Sequence, residues 1–150
     1  MKAKRILITI VSLIVVLSMI AGCAPKTTTT SGGKVKVGLS FSDFATERWK
    51  NEEVLMRGLL EGLGYEVLSQ EAAHDVKLQN DQIDNMVSQG VKGLIVIAED
   101  GDAAVTSVDK AADAGVVVIA YDRLIKTSKI AAYLSFNNVE VGRHRGCHTG

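Results

Sequence analysis

The sequence holds no glycine-rich phosphate loop, although its alternating elements are of the kind that often carry one. The turn after the first candidate strand reads GLSFSDFATERW, residues 38–49, which fits neither G-x-G-x-x-G nor G-x-x-x-x-G-K-[ST]. The backbone cradle for a nucleotide phosphate is therefore missing. A basic surplus is missing too. The 17 Lys and Arg are matched by 17 Asp and Glu, whereas nucleic-acid binding calls for a basic face. No Cys–His or Ser–His–Asp constellation can be assembled for nucleophilic catalysis. The one early histidine, His74, falls in a polar loop where solvation is the default. Cysteines are few: only Cys23 and Cys147.

What is present begins with an export signal. Lys2, Lys4 and Arg5 precede an apolar run, Ile6 to Ile20, interrupted only by Thr9, Ser12 and Ser18. That is the layout of a secretion signal, slightly short for a comfortable membrane span; an uncleaved anchor is the alternative. Ile20-Ala21-Gly22-Cys23 has the form of a bacterial lipobox, in which the cysteine is lipidated and becomes the mature N-terminus. Two or more acyl chains on Cys23 are enough for stable anchoring, where one alone is marginal. Such a Cys23 cannot join Cys147 in a disulfide. Loss of residues 1–22 leaves 14 basic against 17 acidic groups, a net charge of −3. Residues 23–33 contain APKTTTTSGG, without apolar periodicity, and read as a flexible tether.

From Lys34 the pattern becomes regular. Strands are expected at 34–40 (KVKVGLS), 65–70 (YEVLSQ), 93–98 (GLIVIA), 116–121 (VVVIAY) and 131–136 (AAYLSF). Helices are expected over 46–63, with Leu55, Met56, Leu59, Leu60 and Leu63 on its apolar side, through Leu78, Ile83, Met86 and Val87, and from an Asp102 cap to Ala114. Gly64, Gly90 and Gly115 stand where helices end. The third and fourth strands show no alternation, so burial on both faces is expected. The fold class is therefore α/β: an open, doubly wound parallel sheet with helices on each side and right-handed crossovers. Ligands of such sheets bind outside the carboxyl ends of the strands.

Those ends carry Asp43, Phe44, Arg48 and Trp49 after strand 1, Asp122 and Arg123 after strand 4, and Asn137 and Asn138 after strand 5. Carboxylates accept hydroxyl protons, Arg forks across two oxygens, Asn does one of each, and aromatic rings cover C–H faces. This set suits a neutral polyol such as a pyranose better than a phosphate. Plainer uses stay open: an Asp122–Arg123 loop ion pair, Trp49 in the core beside Met56 and Leu63, Asn137 or Asn138 as a turn or cap, Asp43 as a cap for the first helix, and Arg48 as a solvated charge. In the tail RHRGCHTG, residues 143–150, His144, Cys147 and His148 are too few for a closed metal site.

KVKVGLSFSDFATERWKNE, VVVIAYDRLI and AAYLSFNNVEVG together resemble the N-terminal lobe of type I periplasmic sugar-binding proteins, above all the D-xylose-binding components of ABC transporters. The resemblance runs from Lys34 to Gly142. It implies that Arg48 and Trp49 contact sugar, that Asp122 accepts and Arg123 donates hydrogen bonds to it, and that Asn138 is a ligand-side asparagine. Asn137 stands where the family has aspartate, and Asp43 is a further candidate. It implies an ABC permease as membrane partner, a lipid-anchored position outside the cytoplasmic membrane, no cofactor, no metal and no enzymatic activity. Family members add a second lobe and hinge strands. The 150 residues therefore read as a truncated or frameshifted N-terminal lobe over 34–142, with 143–150 a divergent tail. The alternative is a sensory or scaffold lipoprotein that uses the lobe for protein contacts.

Overall fold

The structure, a computed structural model, describes residues 33–137 and Glu140. Five strands, β1 (Lys36–Phe41), β2 (Glu66–Glu71), β3 (Gly93–Val96), β4 (Val117–Tyr121) and β5 (Ala132–Leu134), alternate with three helices, α1 (Glu47–Gly62), α2 (Val76–Ser88) and α3 (Val105–Asp113). The strands form one sheet in the order β2-β1-β3-β4-β5, and every pairing is parallel. The expected fold class is the observed one.

Alternation along the strands divides the core in two. Leu94, Val96, Val118 and Ala120 pack with Ile83 and Met86 of α2 and Val108 and Ala111 of α3 on one face. Leu39, Phe41, Val67 and Ile97 pack with Trp49 of α1 on the other. Gly38 lets α2 sit directly on β1, because a Cβ there would lie 2.8 Å from Leu94 Cδ1 and 3.0 Å from Met86 Sδ. The three helix-stop glycines, Gly64, Gly90 and Gly115, adopt φ of +91°, +83° and +82°, a region open to glycine at little cost.

Three expectations need correction. The last of the expected helices is not capped by Asp102. It starts after Ala104, and the carboxylate in the preceding turn is that of Asp100, which accepts from the N–H groups of Asp102 and Ala103 at 2.8 and 2.9 Å. β3 and β4 are fully buried on one face only. On the α1 side Val117 is 55% exposed, and Val35, Leu60, Tyr65, Ile95, Val117 and Ile119 border an open cleft of about 320 Å³. The physical reason is coverage, since α1 is the only described helix on that side and packs over β1 and β2. Finally, α1 turns Trp49, Met56 and Leu60 toward the sheet and leaves Leu55, Leu59 and Leu63 exposed. Leucines alternate between two adjacent stripes of this helix, so spacing alone fits either.

No helix among the described residues is long and apolar enough to cross a membrane. The signal segment 1–22, most of the tether 23–33, Cys23, Asn138 and the tail 143–150 lie outside the described residues.

A buried glutamine ties the helical layer to the strand ends. Gln79 of α2, 2% exposed, donates from Nε2 to the Ile97 carbonyl (2.9 Å) and to Ser40 Oγ (3.2 Å), and its Oε1 accepts from the Glu99 N–H at 2.8 Å. Replacing it by leucine strands two backbone groups at 1–3 kcal/mol each. Gln79→Leu is expected to lower stability by about 3 kcal/mol, read from urea unfolding midpoints.

Candidate ligand-binding site

The chain leaves β1 for β2 on one side and returns to β3 on the other, so a switch point opens at the carboxyl ends of β1 and β3, with β4 beside it. Asp122, the first residue beyond β4, has φ +62°. Its N–H donates to the Leu134 carbonyl at 2.7 Å, and the Arg123 N–H donates to the Tyr121 carbonyl at 2.7 Å, closing a three-residue turn around it. The Tyr133 hydroxyl donates to the Asp122 carbonyl at 3.0 Å. A γ-turn of this hand is strained, costs about 1–3 kcal/mol, and persists only where its surroundings over-determine it.

Arg123 is pinned by one nitrogen. Its Nη1 donates to the carbonyls of Ala98 (2.8 Å) and Glu99 (3.2 Å) and to Glu99 Oε2 (3.3 Å). Gly101 permits this approach of the β3 and β4 loops, because a Cβ there would fall 2.1 Å from the Leu124 carbonyl oxygen. Beyond Glu99 stands His74, with Nδ1 3.2 Å from Glu99 Oε2 and Nε2 3.8 Å from Asp43 Oδ1. Asp43 is 1% exposed, and its oxygens accept from the Thr46 N–H (2.6 Å) and the Ser42 hydroxyl (3.1 Å). Burial pushes the Asp43 carboxyl up, but those hydrogen bonds and nearby His74 outweigh it and hold it below the usual carboxylate range.

Arg48 crosses from α1 to β4. Its Nε donates to Glu52 Oε1 at 2.7 Å and its Nη2 to Asp122 Oδ1 at 3.2 Å. Its guanidinium carbon lies 4.2 Å from the Trp49 ring centre and 4.6 Å from that of Phe136. Partial burial works against the charged form, yet Glu52 and Asp122 hold its pKa above the ordinary value. Burial and the neighbouring Glu52 push the Tyr121 hydroxyl up as well.

The structure thus brings Arg48, Asp122 and Arg123 onto one rim, as expected. Trp49 is 4% exposed and packs with Leu39 and Phe41 in the core, reaching the rim only beneath Arg48. Asp43 serves its own loop. Asn137 accepts from the Glu140 N–H at 3.2 Å, in the manner of a cap; Asn138 is outside the described residues. Sequence reasoning missed Glu52, Glu99, Phe136 and the rim position of His74. Glu99 was within reach, since it follows the third strand as Asp122 follows the fourth. His74 gave no signal, because its neighbours come from two other loops.

Asp43, His74 and Glu99 are the one group of possible metal donors among the described residues, within 4.8 Å of one another. Their oxygens already serve Thr46, Ser42, His74 and Arg123, and the Arg123 guanidinium supplies positive charge there. Along the rim two guanidinium groups face the carboxylates of Glu52, Glu99 and Asp122. Three carboxylates against two guanidinium groups give an anion no net attraction, while the rim offers donors and acceptors to a neutral polyol.

Residues 37–146 match the periplasmic binding protein domain family. The chain is 32% identical over 142 residues to the D-xylose-binding periplasmic protein of Escherichia coli (strain K12), an alignment covering 95% of this chain and 40% of the relative. It is 37% identical over 110 residues to the multiple sugar-binding periplasmic receptor ChvE of Rhizobium radiobacter, covering 73% of this chain and 31% of the relative. Among solved structures it is similar to an ABC transporter solute binding protein from Clostridium phytofermentans with bound β-D-glucose, with TM-score 0.72 and 37% identity over 75% of this chain and 35% of that one. The chain spans about 40% of the length of the first curated relatives it matches.

The depressed Asp43 carboxyl has a signed consequence. Its contribution is fully present above the ordinary carboxylate pKa of about 4 and is lost as pH falls through the lower folded value. The urea midpoint of the native protein is expected to drop more steeply between about pH 5 and pH 2 than that of the Asp43→Asn protein.

Proposed function

Because the chain belongs to the periplasmic binding protein domain family, we propose that its described lobe forms one half of a monosaccharide site in an extracytoplasmic ABC sugar importer. The observation that carries this reading is the rim of ion-paired donors and acceptors formed by Arg48, Glu99, Asp122 and Arg123 at the carboxyl ends of β3 and β4. The ligand is D-xylose or a similar pentose or aldohexose. The names of the two relatives and the glucose in the Clostridium protein support that class. Asp122 accepts a sugar hydroxyl proton, and Arg48 and Arg123 donate to ring or hydroxyl oxygens. Trp49 backs Arg48, with its own ring edge as the remaining contact. Asn138 and, more remotely, Asp43 complete the set expected on this side.

Binding changes no bond in the sugar, so the role is carriage rather than catalysis. In the whole protein a second lobe closes over the ligand, excludes water from these polar contacts, and presents the loaded form to a membrane permease. Residues 1–22 direct export, Cys23 carries the acyl anchor, and residues 23–33 let the lobe over 34–142 range above the membrane, with 143–150 a divergent tail. A sensory reading stands second. The word receptor in the name of the Rhizobium relative and the exposed stripe Leu55, Leu59 and Leu63 on α1 favour it.

Calorimetric titration with D-xylose, D-ribose, D-glucose and D-galactose tests the proposal. Asp122→Gly is expected to weaken the best sugar by tenfold or more, since a charge-assisted hydrogen bond is worth about 1.5–3 kcal/mol. The same change relieves the strained turn and removes only an exposed ion pair, so the urea midpoint is expected to hold or rise. Equal sugar affinity in both proteins would remove the rim from the site.

A further inference from the structure

Arg48 is held more firmly than a lone binding arginine needs to be. A guanidinium is a flat group with five N–H donors in a fixed fork. On its side edge, Nε donates to Glu52 at 2.7 Å and Nη2 to Asp122 at 3.2 Å. Two carboxylates on that edge fix the rotation of the plane. The rings of Trp49 and Phe136, 4.2 and 4.6 Å from its carbon, then limit its tilt. What remains among the described residues is the end edge, Nη1 with the second N–H of Nη2, two parallel donors spaced for two neighbouring oxygens. Phe136 is half-exposed and lies two residues beyond β5, so a loop from the far edge of the sheet helps aim a side chain on α1. Glu52 accepts the Arg48 Nε–H on Oε1, and its other oxygen is buried, so its charge acts on Arg48 and on the neighbouring Tyr121 hydroxyl.

We infer that Phe136 and Glu52 are positioning residues that present the end edge of Arg48 to a pair of vicinal sugar hydroxyls. The inference rests on the sugar-binding reading and adds residues to it that lie outside the expected set. Neither touches the ligand; each acts through the orientation of Arg48. Their replacement therefore costs affinity only while Arg48 is present, and only for sugars with both hydroxyls of the pair.

The test uses the full chain with D-xylose and D-glucose as probes, and follows the Arg48 Nε–Hε signal by NMR. Phe136→Leu is expected to weaken the better sugar roughly fivefold and to speed exchange of the Arg48 signal, while Phe136→Tyr restores most of both. In an Arg48→Ala background Phe136→Leu is expected to have no further effect. Glu52→Gln, on a different element, is expected to act in the same direction. Sugar binding that survives Phe136→Leu and Glu52→Gln with the Arg48 signal unchanged overturns the inference. So does an equal loss with and without Arg48, which marks a merely structural role. Absence of sugar binding by the unsubstituted chain defeats the sugar reading instead, and is told apart because the exchange of the Arg48 signal is read without ligand.

Discussion

Parallel pairing of β1 with β2 on one side and with β3 on the other is the constraint from which the rest follows. Parallel strands cannot be joined by tight hairpins, so the chain must cross over through α1 and α2, one on each face. Every carboxyl end then lies on one rim. Neighbouring strands are about 4.8 Å apart, so the ends of β1, β3 and β4 span roughly 10 Å. Gly38 and Gln79 serve this arrangement from below: one lets α2 close on β1, and the other fixes the loop that bears Glu99.

The polar rim contributes little to holding the lobe together. Its ion pairs are half-exposed, and such pairs are worth about 0–1 kcal/mol. Against that stands the strained backbone at Asp122, which costs more than its ion pair returns. Stability comes from the two apolar layers, where residues such as Leu39, Phe41, Ile83 and Val118 are fully buried. A site that is locally unfavourable and held in place by its scaffold is what a binding surface requires. The pairing of Arg48 with Asp122 and of Arg123 with Glu99 keeps the donors and acceptors oriented, without the net charge that would recruit an anion.

Much of this was legible in the residues. Apolar runs at 93–98 and 116–121 marked the central strands, and the glycines at 64, 90 and 115 marked the helix ends. The rule that ligands gather at strand carboxyl ends singled out Asp122, Arg123 and Arg48. What stayed hidden depended on tertiary partners. The leucines of α1 fit two helical stripes, and only the sheet decides that Met56 and Leu60 face inward while Leu55 and Leu59 face out. The same packing takes Trp49 into the core. Apolarity of β3 and β4 fits burial on both faces, yet the α1 side stays partly open. The turn at Asp122 is braced by Leu134 and Tyr133 of β5, and the junction of His74 with Glu99 and Asp43 joins loops distant in sequence, which no local pattern records.

The central claim is that the rim at the strand carboxyl ends, and not the apolar cleft between α1 and β4, receives a neutral sugar. NMR shift mapping of the isotope-labelled protein during titration with D-xylose and D-glucose addresses it most directly. Changes are expected to concentrate at Arg48, Glu99, Asp122 and Arg123. Changes concentrated at Val35, Tyr65 and Val117, at the opposite ends of the strands, contradict it.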